Sequence, residues 1–326
     1  MTLDLSKPAG LGKALRYGAG FAALLAVSLA VGTSLGAETL SIFSLSETGS
    51  AILFDIRLPR VLLGACVGAS LAVAGAGLQA LLRNPLAEPY LLGVSNGAAL
   101  GTMVAIILFG TFEFARPVLA FAGAALATFA VYRIAQSKAG MNAERLILSG
   151  VIITTLLSSV IILLTSLLDA TRLRSFTFWL LGDLSQATMT GFWVCLVTAV
   201  IGTFILSTRA RALNLLMVGE RDALDFGVEV ERTRLAVFAA SAGLVGVAVS
   251  ASGSVGFVGL IVPHLIRLFT GSDNRFVIPF SALFGASFVV LADTFARTLI
   301  APRELPVGAI TALIGCPLFI WLLRKN

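Results

Sequence analysis

Charge is the scarcest property of this 326-residue sequence, since 12% of its residues are charged and a soluble domain carries about 25%. Histidine occurs once, as His264, and the three cysteines (Cys66, Cys195 and Cys316) stand in apolar segments without paired spacing. So few cysteines exclude a disulfide scaffold, and so high an apolar content excludes intrinsic disorder. With one histidine and no carboxylate or thiol cluster at ligand spacing, we expect no metal site.

The sequence has no G-x-x-x-x-G-K-[ST] stretch, so it lacks the P-loop that cradles the phosphates of ATP. The letters GVSNG at Gly93–Gly97 match a serine-hydrolase elbow, but that elbow follows a strand and needs a later acid and histidine. Here the stretch opens an apolar run, and its glycines are better explained by close helix packing. We therefore expect neither catalytic residues nor a cofactor bound by this chain.

Apolar residues make up 58% of the chain, and its mean hydropathy is +0.98. Ten apolar runs approach the roughly 20 residues that a helix needs to cross about 30 Å of hydrocarbon. Because these runs are apolar on all sides and do not alternate, they indicate membrane helices and not strands. The sequence predicts an all-α polytopic membrane bundle of about ten transmembrane helices, forming one domain over residues 1–326. The runs lie at 14–36, 61–82, 93–110, 117–134, 146–168, 191–207, 234–251, 254–269, 276–296 and 306–323.

Three of these runs have open alternatives. The seventh and eighth are separated only by Ser250–Gly253 and could form one broken unit. The first has a basic start and small residues up to Ala37, so it could also be a cleaved signal peptide, which would leave nine spans. We expect the first run to be retained as a helix.

The basic residues set the expected orientation. Lys and Arg outnumber Asp and Glu by 23 to 17, for a formal net charge of +6. They concentrate in the segments that lie inside the cell when the N-terminus is inside, and no basic stripe interleaves with aromatic residues. The positive-inside rule therefore predicts that the N- and C-termini are both cytoplasmic, and no nucleic-acid partner is expected.

Charge inside the apolar runs is the usual mark of an ion-coupled carrier. Here it is nearly confined to Asp293 and Arg297, which lie four residues apart and so share one helix face. We expect an internal ion pair and not a proton relay. An ion-coupled secondary transporter remains the alternative reading of the composition, and a membrane enzyme is disfavoured because no acid, base and nucleophile converge.

Four stretches carry more information than composition. They are Arg57–Arg60 (RLPR), Gln79–Gly97 (QALLRNPLAEPYLLGVSNG), Gly256–Arg267 (GFVGLIVPHLIR) and Glu304–Gly308 (ELPVG). In this order and spacing they resemble the permease family of type II ABC importers, which carry iron–siderophores, haem and vitamin B12. The resemblance extends from about residue 55 to the C-terminus.

This resemblance implies an architecture and a set of partners. The family has ten helices per subunit and works as a homodimer in the bacterial inner membrane, surrounded by lipid. Two cytoplasmic ATPase subunits bind ATP and Mg²⁺, and a periplasmic or surface substrate-binding protein delivers the cargo. The resemblance leaves open which chelate is carried (siderophore, haem or cobalamin) and whether the second permease is a copy or a paralogue.

The resemblance also assigns roles to particular residues. Outer arginines would pair with carboxylates of the binding protein, and these are Arg57, Arg60 and Arg303. The cytoplasmic loop at about 208–233 would contain a short amphipathic element that couples to the ATPase, with the residues Gly219, Glu220, Ala223, Leu224, Phe226 and Gly227. The cytoplasmic gate of the pathway would be formed by Asn84, Pro85, Leu86 and Asn142. Since Pro85 and Pro89 cannot continue a helix, we expect an irregular segment there.

Overall fold

The computed structural model describes residues 11–36, 47–110, 114–137, 140–141 and 143–325. In these ranges the chain is helical apart from turns and a ribbon of two short antiparallel strands, β1 (Gln136–Ser137) and β2 (Gly140–Met141). The predicted all-α class is confirmed. The α-helices are α1 (Leu11–Ser34), α2 (Glu47–Ala51), α3 (Leu58–Leu81), α4 (Val94–Phe109), α5 (Ala115–Ala135), α6 (Ala143–Thr165), α7 (Ala170–Leu180), α8 (Met189–Thr208), α9 (Ala210–Val218), α10 (Glu220–Asp225), α11 (Val230–Ser252), α12 (Val258–Thr270), α13 (Asn274–Thr298) and α14 (Val307–Lys325).

Helix length separates two groups of apolar helices. Seven of the described helices are long and apolar enough to cross a membrane, namely α1, α3 with the turns before it, α5, α6, α8, α11 and α13. The apolar parts of α4, α12 and α14 are shorter. At 1.5 Å per residue, a 13-residue helix such as α12 extends about 20 Å, which is less than the hydrocarbon thickness. Each of the ten predicted runs coincides with one helix of these two groups.

The seventh and eighth runs are two separate helices. Helix α11 ends at Ser252, the irregular segment Gly253–Phe257 follows, and α12 begins at Val258. Gly253 and Phe257 both have positive φ, of 67° and 68°, so the chain turns sharply at both ends of this segment. The N–H and C=O groups of irregular backbone between apolar helices must form hydrogen bonds with protein groups, because lipid offers no hydrogen-bond partners.

Helix α3 lies at the centre of the bundle. Most of its side chains are buried, and α8, α11, α12 and α13 pack around it. A Cβ added at Gly68 would overlap the carbonyl of Gly285 in α13, and one added at Gly75 would overlap the carbonyl of Gly259 in α12. Glycine at these crossings lets the backbones approach closely, which is a principal source of helix association in lipid.

A buried glutamine completes the crossing of α3 and α12. Pro263 has no N–H, so the carbonyl of Gly259 loses its partner within the helix. The Nε2 atom of Gln79 donates to Gly259 O at 3.2 Å and to Leu260 O at 3.1 Å. Its Oε1 atom accepts from Nη1 of Arg267. The carbonyl that Pro263 leaves unpaired therefore finds its hydrogen-bond partner on α3, which holds α12 against α3.

The GVSNG stretch begins α4 and is not a nucleophile elbow. Gly93 has a φ of 73° and ends a short 3₁₀ turn, after which Ser95 lies within the helix. A Cβ added at Gly97 would overlap the carbonyl of Gly123 in α5. The predicted role in close helix packing is confirmed for Gly97, whereas Gly93 turns the chain before the helix.

Candidate functional site

At one end of the bundle, Arg60 joins three elements. Its Nε atom donates to Asp293 Oδ2 in α13 at 3.0 Å, and its Nη2 atom donates to Asp293 Oδ1 at 2.9 Å. Its Nη1 atom donates to Oε2 of Glu304, in the turn before α14, at 2.8 Å. The side chain of Arg60 is 7% exposed, whereas that of Glu304 is 47% exposed. One guanidinium therefore holds a buried carboxylate and a half-exposed one.

Two further arginines surround this ion pair. Arg57 is buried and donates from Nη1 to Ser34 O at 2.9 Å, at the C-terminal end of α1, where a cation is favoured by the helix dipole. Arg297 donates to Gly32 O, and its Nε atom lies 3.6 Å from Asp293 Oδ2. The predicted internal ion pair of Asp293 and Arg297 is confirmed. We call Arg57, Arg60, Asp293, Arg297 and Glu304 the arginine cluster.

The three arginines assigned to docking occupy different environments. Arg57 and Arg60 are brought together in the arginine cluster and are both buried in this conformation. Arg303 is exposed and lines a groove of about 360 Å³ between α7 and the turn before α14. Arg174 and Asp183 also line this groove, and the Cζ atom of Arg174 is 5.7 Å from the ring centre of Phe178. Docking through these arginines stays a prediction, with Arg303 the member that reaches the surface.

The segment assigned to the gate is irregular, as the prolines predict. Helix α3 ends at Leu81, and Asn84 Oδ1 accepts a hydrogen bond from the Leu86 N–H at 2.9 Å. Pro85 and Leu86 are exposed beyond this turn. Their role in a gate stays a prediction, and Asn142, the fourth residue assigned to it, lies outside the described residues.

The continuation of this segment is tied to the break between α11 and α12. Glu88 Oε1 accepts from the Phe257 N–H at 3.1 Å. The Tyr90 hydroxyl accepts from the Val255 N–H and donates to Val255 O, both at 2.9 Å. Burial raises the pKa of Glu88, and the Phe257 N–H offsets part of that rise. Sequence reasoning missed this contact because the two segments are some 165 residues apart.

At the opposite end of the bundle, α9 and α10 form a small amphipathic unit. Leu216 in α9 and Ala223 in α10 are buried against Val230 at the start of α11. Val218, Leu224 and Phe226 point away from this core and are 75%, 56% and 75% exposed. We call these three side chains the α10 apolar patch. Of the residues assigned to coupling, Ala223 supports the unit from within, while Leu224 and Phe226 are available to a partner.

The glycines and the glutamate of the coupling assignment shape the same unit. Gly227 has a φ of 76° and turns the chain after α10, a conformation that favours glycine. Gly219 separates α9 from α10, and a Cβ there would overlap the Asp222 carboxylate. Glu220 Oε2 accepts from Arg234 Nη2 at 2.7 Å, which ties α10 to α11.

Helix α9 is held in turn by the start of α13. Asn214 Nδ2 donates to Asp273 Oδ1 at 2.8 Å, and Asn214 Oδ1 accepts from Asn274 Nδ2 at 2.8 Å. Burial alone would raise the pKa of Asp273, but hydrogen bonds from Arg275 and Asn214 and the charge of Arg275 outweigh it and lower that pKa. The same helix α13 reaches Arg60 through Asp293 at its other end. It thus connects the α9–α10 unit with the arginine cluster.

A bundle of apolar helices with irregular backbone buried between them is the architecture of a polytopic membrane protein, and it is common among membrane transport proteins. The family model described as the FecCD transport family matches residues 20–325, and the chain belongs to this family. It is the permease component of a type II ABC importer, a transport subunit and not an enzyme. It is accordingly a multi-pass membrane protein.

Named relatives and a solved structure agree with this assignment. The cobalamin import system permease protein BtuC of Halobacterium salinarum is 45% identical over 287 residues, covering 87% of this chain and 76% of the relative. The hemin transport system permease protein HmuU of Yersinia pestis is 42% identical, covering 94% of this chain and 95% of the relative. A solved inward-facing ABC transporter assigned to the metal-chelate type is 34% identical, with a TM-score of 0.86 and coverage of 94% and 98%. The resemblance found in the sequence motifs is confirmed.

Proposed function

We propose that this chain translocates a metal chelate of the haem, iron–siderophore or cobalamin class across the cytoplasmic membrane of a bacterium. Similar permeases named for hemin and for cobalamin, 42% and 45% identical, support the substrate class and leave its members open. The chain binds no ATP itself; a partner subunit binds ATP and Mg²⁺ and hydrolyses the nucleotide. Membership of the family implies ATPase and binding-protein partners.

In the proposed arrangement all ten apolar helices cross the membrane in one domain, residues 1–326, with both termini cytoplasmic. The helix α12 and the segment after α3 then lie inside the protein, where neighbouring side chains replace the missing helical hydrogen bonds. A second copy of the chain completes the pathway. The arginine cluster faces the outside and the α9–α10 unit faces the cytoplasm.

The α10 apolar patch is the surface that we propose to contact the ATPase. Val218, Leu224 and Phe226 are exposed on a rigid unit that ion pairs and a buried core hold to α11 and α13. Exposed apolar side chains on a fixed short helix are suited to a groove on a partner protein. The coupling loop at 208–233 would transmit the movement of the ATPase through α11 and α13 to α3, against which both helices pack.

On the outer side, Arg303 would engage the substrate-binding protein, together with Arg57 and Arg60 where the arginine cluster opens. On the cytoplasmic side, Asn84, Pro85, Leu86 and Asn142 would narrow the pathway. The turn that Asn84 forms with Leu86 gives this segment a defined shape without a helix. The contacts of Glu88 and Tyr90 link its movement to the start of α12.

An ion-coupled carrier is the weaker candidate. Among the described residues, Asp293 is the one carboxylate buried within an apolar helix, and it already binds Arg60 and Arg297. A proton or sodium relay would need carboxylates that can change partners inside the membrane.

Affinity purification of a tagged chain, followed by native mass spectrometry, tests the assembly. We expect a complex of two permease copies and two ATPase subunits, which Phe226→Asp abolishes and the matched variant Phe226→Leu retains. Recovery of the chain as a monomer or homodimer that never binds an ATPase, for the wild type as well as for both variants, would contradict the proposal.

A further inference from the structure

The C-terminal end of α12 lies next to the α9–α10 unit. Helix α12 ends at Thr270, and only two residues separate it from Asp273 at the start of α13. Asp273 Oδ1 accepts a hydrogen bond from Asn214 Nδ2 of α9 at 2.8 Å. A displacement of α9 would therefore pull on the end of α12 through a very short connection.

The N-terminal end of α12 is tied to the segment that follows α3. The Phe257 N–H, one residue before the helix, donates to Glu88 Oε1 at 3.1 Å. Two residues earlier, the backbone of Val255 exchanges two hydrogen bonds with the Tyr90 hydroxyl, both at 2.9 Å. A displacement of α12 would therefore carry this segment with it.

Between these ends, Gln79 joins the middle of α12 to the end of α3. Its side chain binds two carbonyls of α12 and Nη1 of Arg267. The Nε and Nη2 atoms of Arg267 are buried and have no acceptor among the described residues. Breaking the contact with Gln79 would leave this buried cation without a partner, which is costly. Just past the end of α3, the N–H of Asn84, the first residue of the proposed gate, donates to the backbone carbonyl of Gln79 at 3.1 Å.

We propose that α12 carries the movement of the α9–α10 unit to the gate, with Gln79, Glu88 and Tyr90 as the positioning residues that attach the gate to this helix. The inference rests on the proposed function and adds a connection to the one through α11 and α13. A 13-residue helix moves as one body because its turns are hydrogen-bonded to each other. Gln79 supplies the hydrogen bond that Pro263 removes from this helix. Energetic coupling between distant sites travels through such contiguous, hydrogen-bonded elements.

A thiol in the gate reports its movement without any chelate. The reporter is Leu86→Cys, at a position that is 49% exposed, in the permease–ATPase complex in lipid nanodiscs. The exposed native thiol is removed by Cys316→Ser, whereas Cys66 and Cys195 are buried and should not react. The measurement is the rate of maleimide labelling with and without ATP. We expect ATP to change this rate in the parent complex.

The decisive variant is Tyr90→Phe, which removes only the hydroxyl that binds Val255. We expect it to reduce the ATP-dependent change in labelling rate about threefold to tenfold, the factor that corresponds to one net hydrogen bond. The complex should still assemble and hydrolyse ATP. Tyr132→Phe on α5 is the matched control, because its hydroxyl accepts only a 3.5 Å hydrogen bond from the exposed Gln136, and it should keep the full change. Gln79→Leu should act like Tyr90→Phe, with melting temperatures to check the fold of each variant.

Equal changes for Tyr90→Phe and Tyr132→Phe, whether full or reduced, would overturn the inference and leave the proposed function intact. An assembled parent complex whose labelling rate does not respond to ATP would also overturn it, because no movement would then reach the gate. Failure of the parent chain to bind an ATPase would instead contradict the proposed function itself. If Gln79→Leu does not fold, Tyr90→Phe and its control decide the outcome.

Discussion

The two ends of this bundle are built for different kinds of contact. In the arginine cluster every charge except that of the half-exposed Glu304 is buried, and Arg303 alone of the three assigned docking arginines is exposed. In the α9–α10 unit the charges hold the scaffold, as Glu220 does with Arg234, and the exposed side chains are apolar. One end offers charge to a partner, and the other offers Phe226 and its neighbours.

The two ends would therefore bind their proposed partners, the substrate-binding protein and the ATPase, in different ways. Contacts between charges steer association and weaken with salt, so they suit a partner that arrives and leaves in each transport cycle. Apolar side chains that fill a pocket give a contact that salt hardly affects, which suits a permanent subunit. Helix α13 touches both ends, through Asp273 and Asp293.

The largest effect is expected from Asp293→Ala. It would leave Arg60 and Arg297 buried without their shared carboxylate, at a cost of about 3–5 kcal/mol. Thermal unfolding of the purified protein in detergent measures the loss. Asp55→Asn serves as the control and should change stability by less than about 0.5 kcal/mol, as exposed substitutions do. An unchanged melting temperature for Asp293→Ala would mean that the arginine cluster does not stabilise the fold.

The second-largest effect is expected from Phe226→Ala, which should weaken assembly with the ATPase and leave folding unchanged. Removing a ring that is 75% exposed leaves the melting temperature of the chain unchanged. The affinity for the ATPase subunit should fall by about 2–4 kcal/mol if the ring is a binding hot spot, at low and at high salt alike. Phe129→Ala, an exposed phenylalanine on α5, is the matched control and should bind normally. A loss that high salt removes would make this surface electrostatic and would erase the contrast between the two ends.

Arg303→Glu should have a smaller effect that depends on ionic strength. Reversing a charge at the rim should weaken binding of the substrate-binding protein by about tenfold at low salt. The difference should shrink at 0.5 M salt, where the Debye length is only about 4 Å. Arg232→Glu, which reverses an exposed charge on α11, is the control and should have no effect. Salt-independent weakening would point to a steric contact in place of a charged one.

The smallest effect is a pair of opposite pH dependences. The folded-state pKa of Glu88 is raised by burial, so its contribution to stability is greatest at low pH and is lost as the pH rises through that pKa. The folded-state pKa of Asp273 is lowered, so its contribution is present above its ordinary value and is lost as the pH falls. Melting temperatures of Glu88→Gln and Asp273→Asn, each minus the wild type, should therefore slope in opposite directions with pH. The slope for Asp273→Asn should lie below the ordinary aspartate pKa of about 3.9, and the slope for Glu88→Gln should lie above the ordinary glutamate pKa of about 4.3. Parallel slopes would contradict the assigned environments.

Much of this fold can be predicted from residues that lie close together in the sequence. Run length and all-round apolarity locate each membrane helix because the hydrocarbon thickness sets the number of residues required. Pro85 and Pro89 predict the irregular segment after α3, because proline cannot continue a helix. The pairing of Asp293 with Arg297 was also predictable, since both lie on one face of one helix.

The other features of the fold and of the candidate site depend on contacts between residues that are far apart in the sequence. Arg60 and Asp293 are 233 residues apart, and no spacing rule links them. The amide of Gln79 satisfies a carbonyl freed by Pro263, which only the crossing of α3 and α12 can bring about. Helix α7, with its Asp169 cap, is polar enough to escape a search for apolar runs. The burial of Arg57 and Arg60 is likewise a property of the assembled bundle.

Uptake into proteoliposomes shows whether this permease takes its energy from a partner ATPase. The vesicles contain the chain with its ATPase, and the substrate-binding protein is loaded in turn with hemin, an iron–siderophore and cobalamin. We predict uptake of one of these chelates only when ATP is present on the ATPase side, with no stimulation by a proton or sodium gradient. Uptake by the chain alone, driven by such a gradient and independent of ATP, would contradict the account.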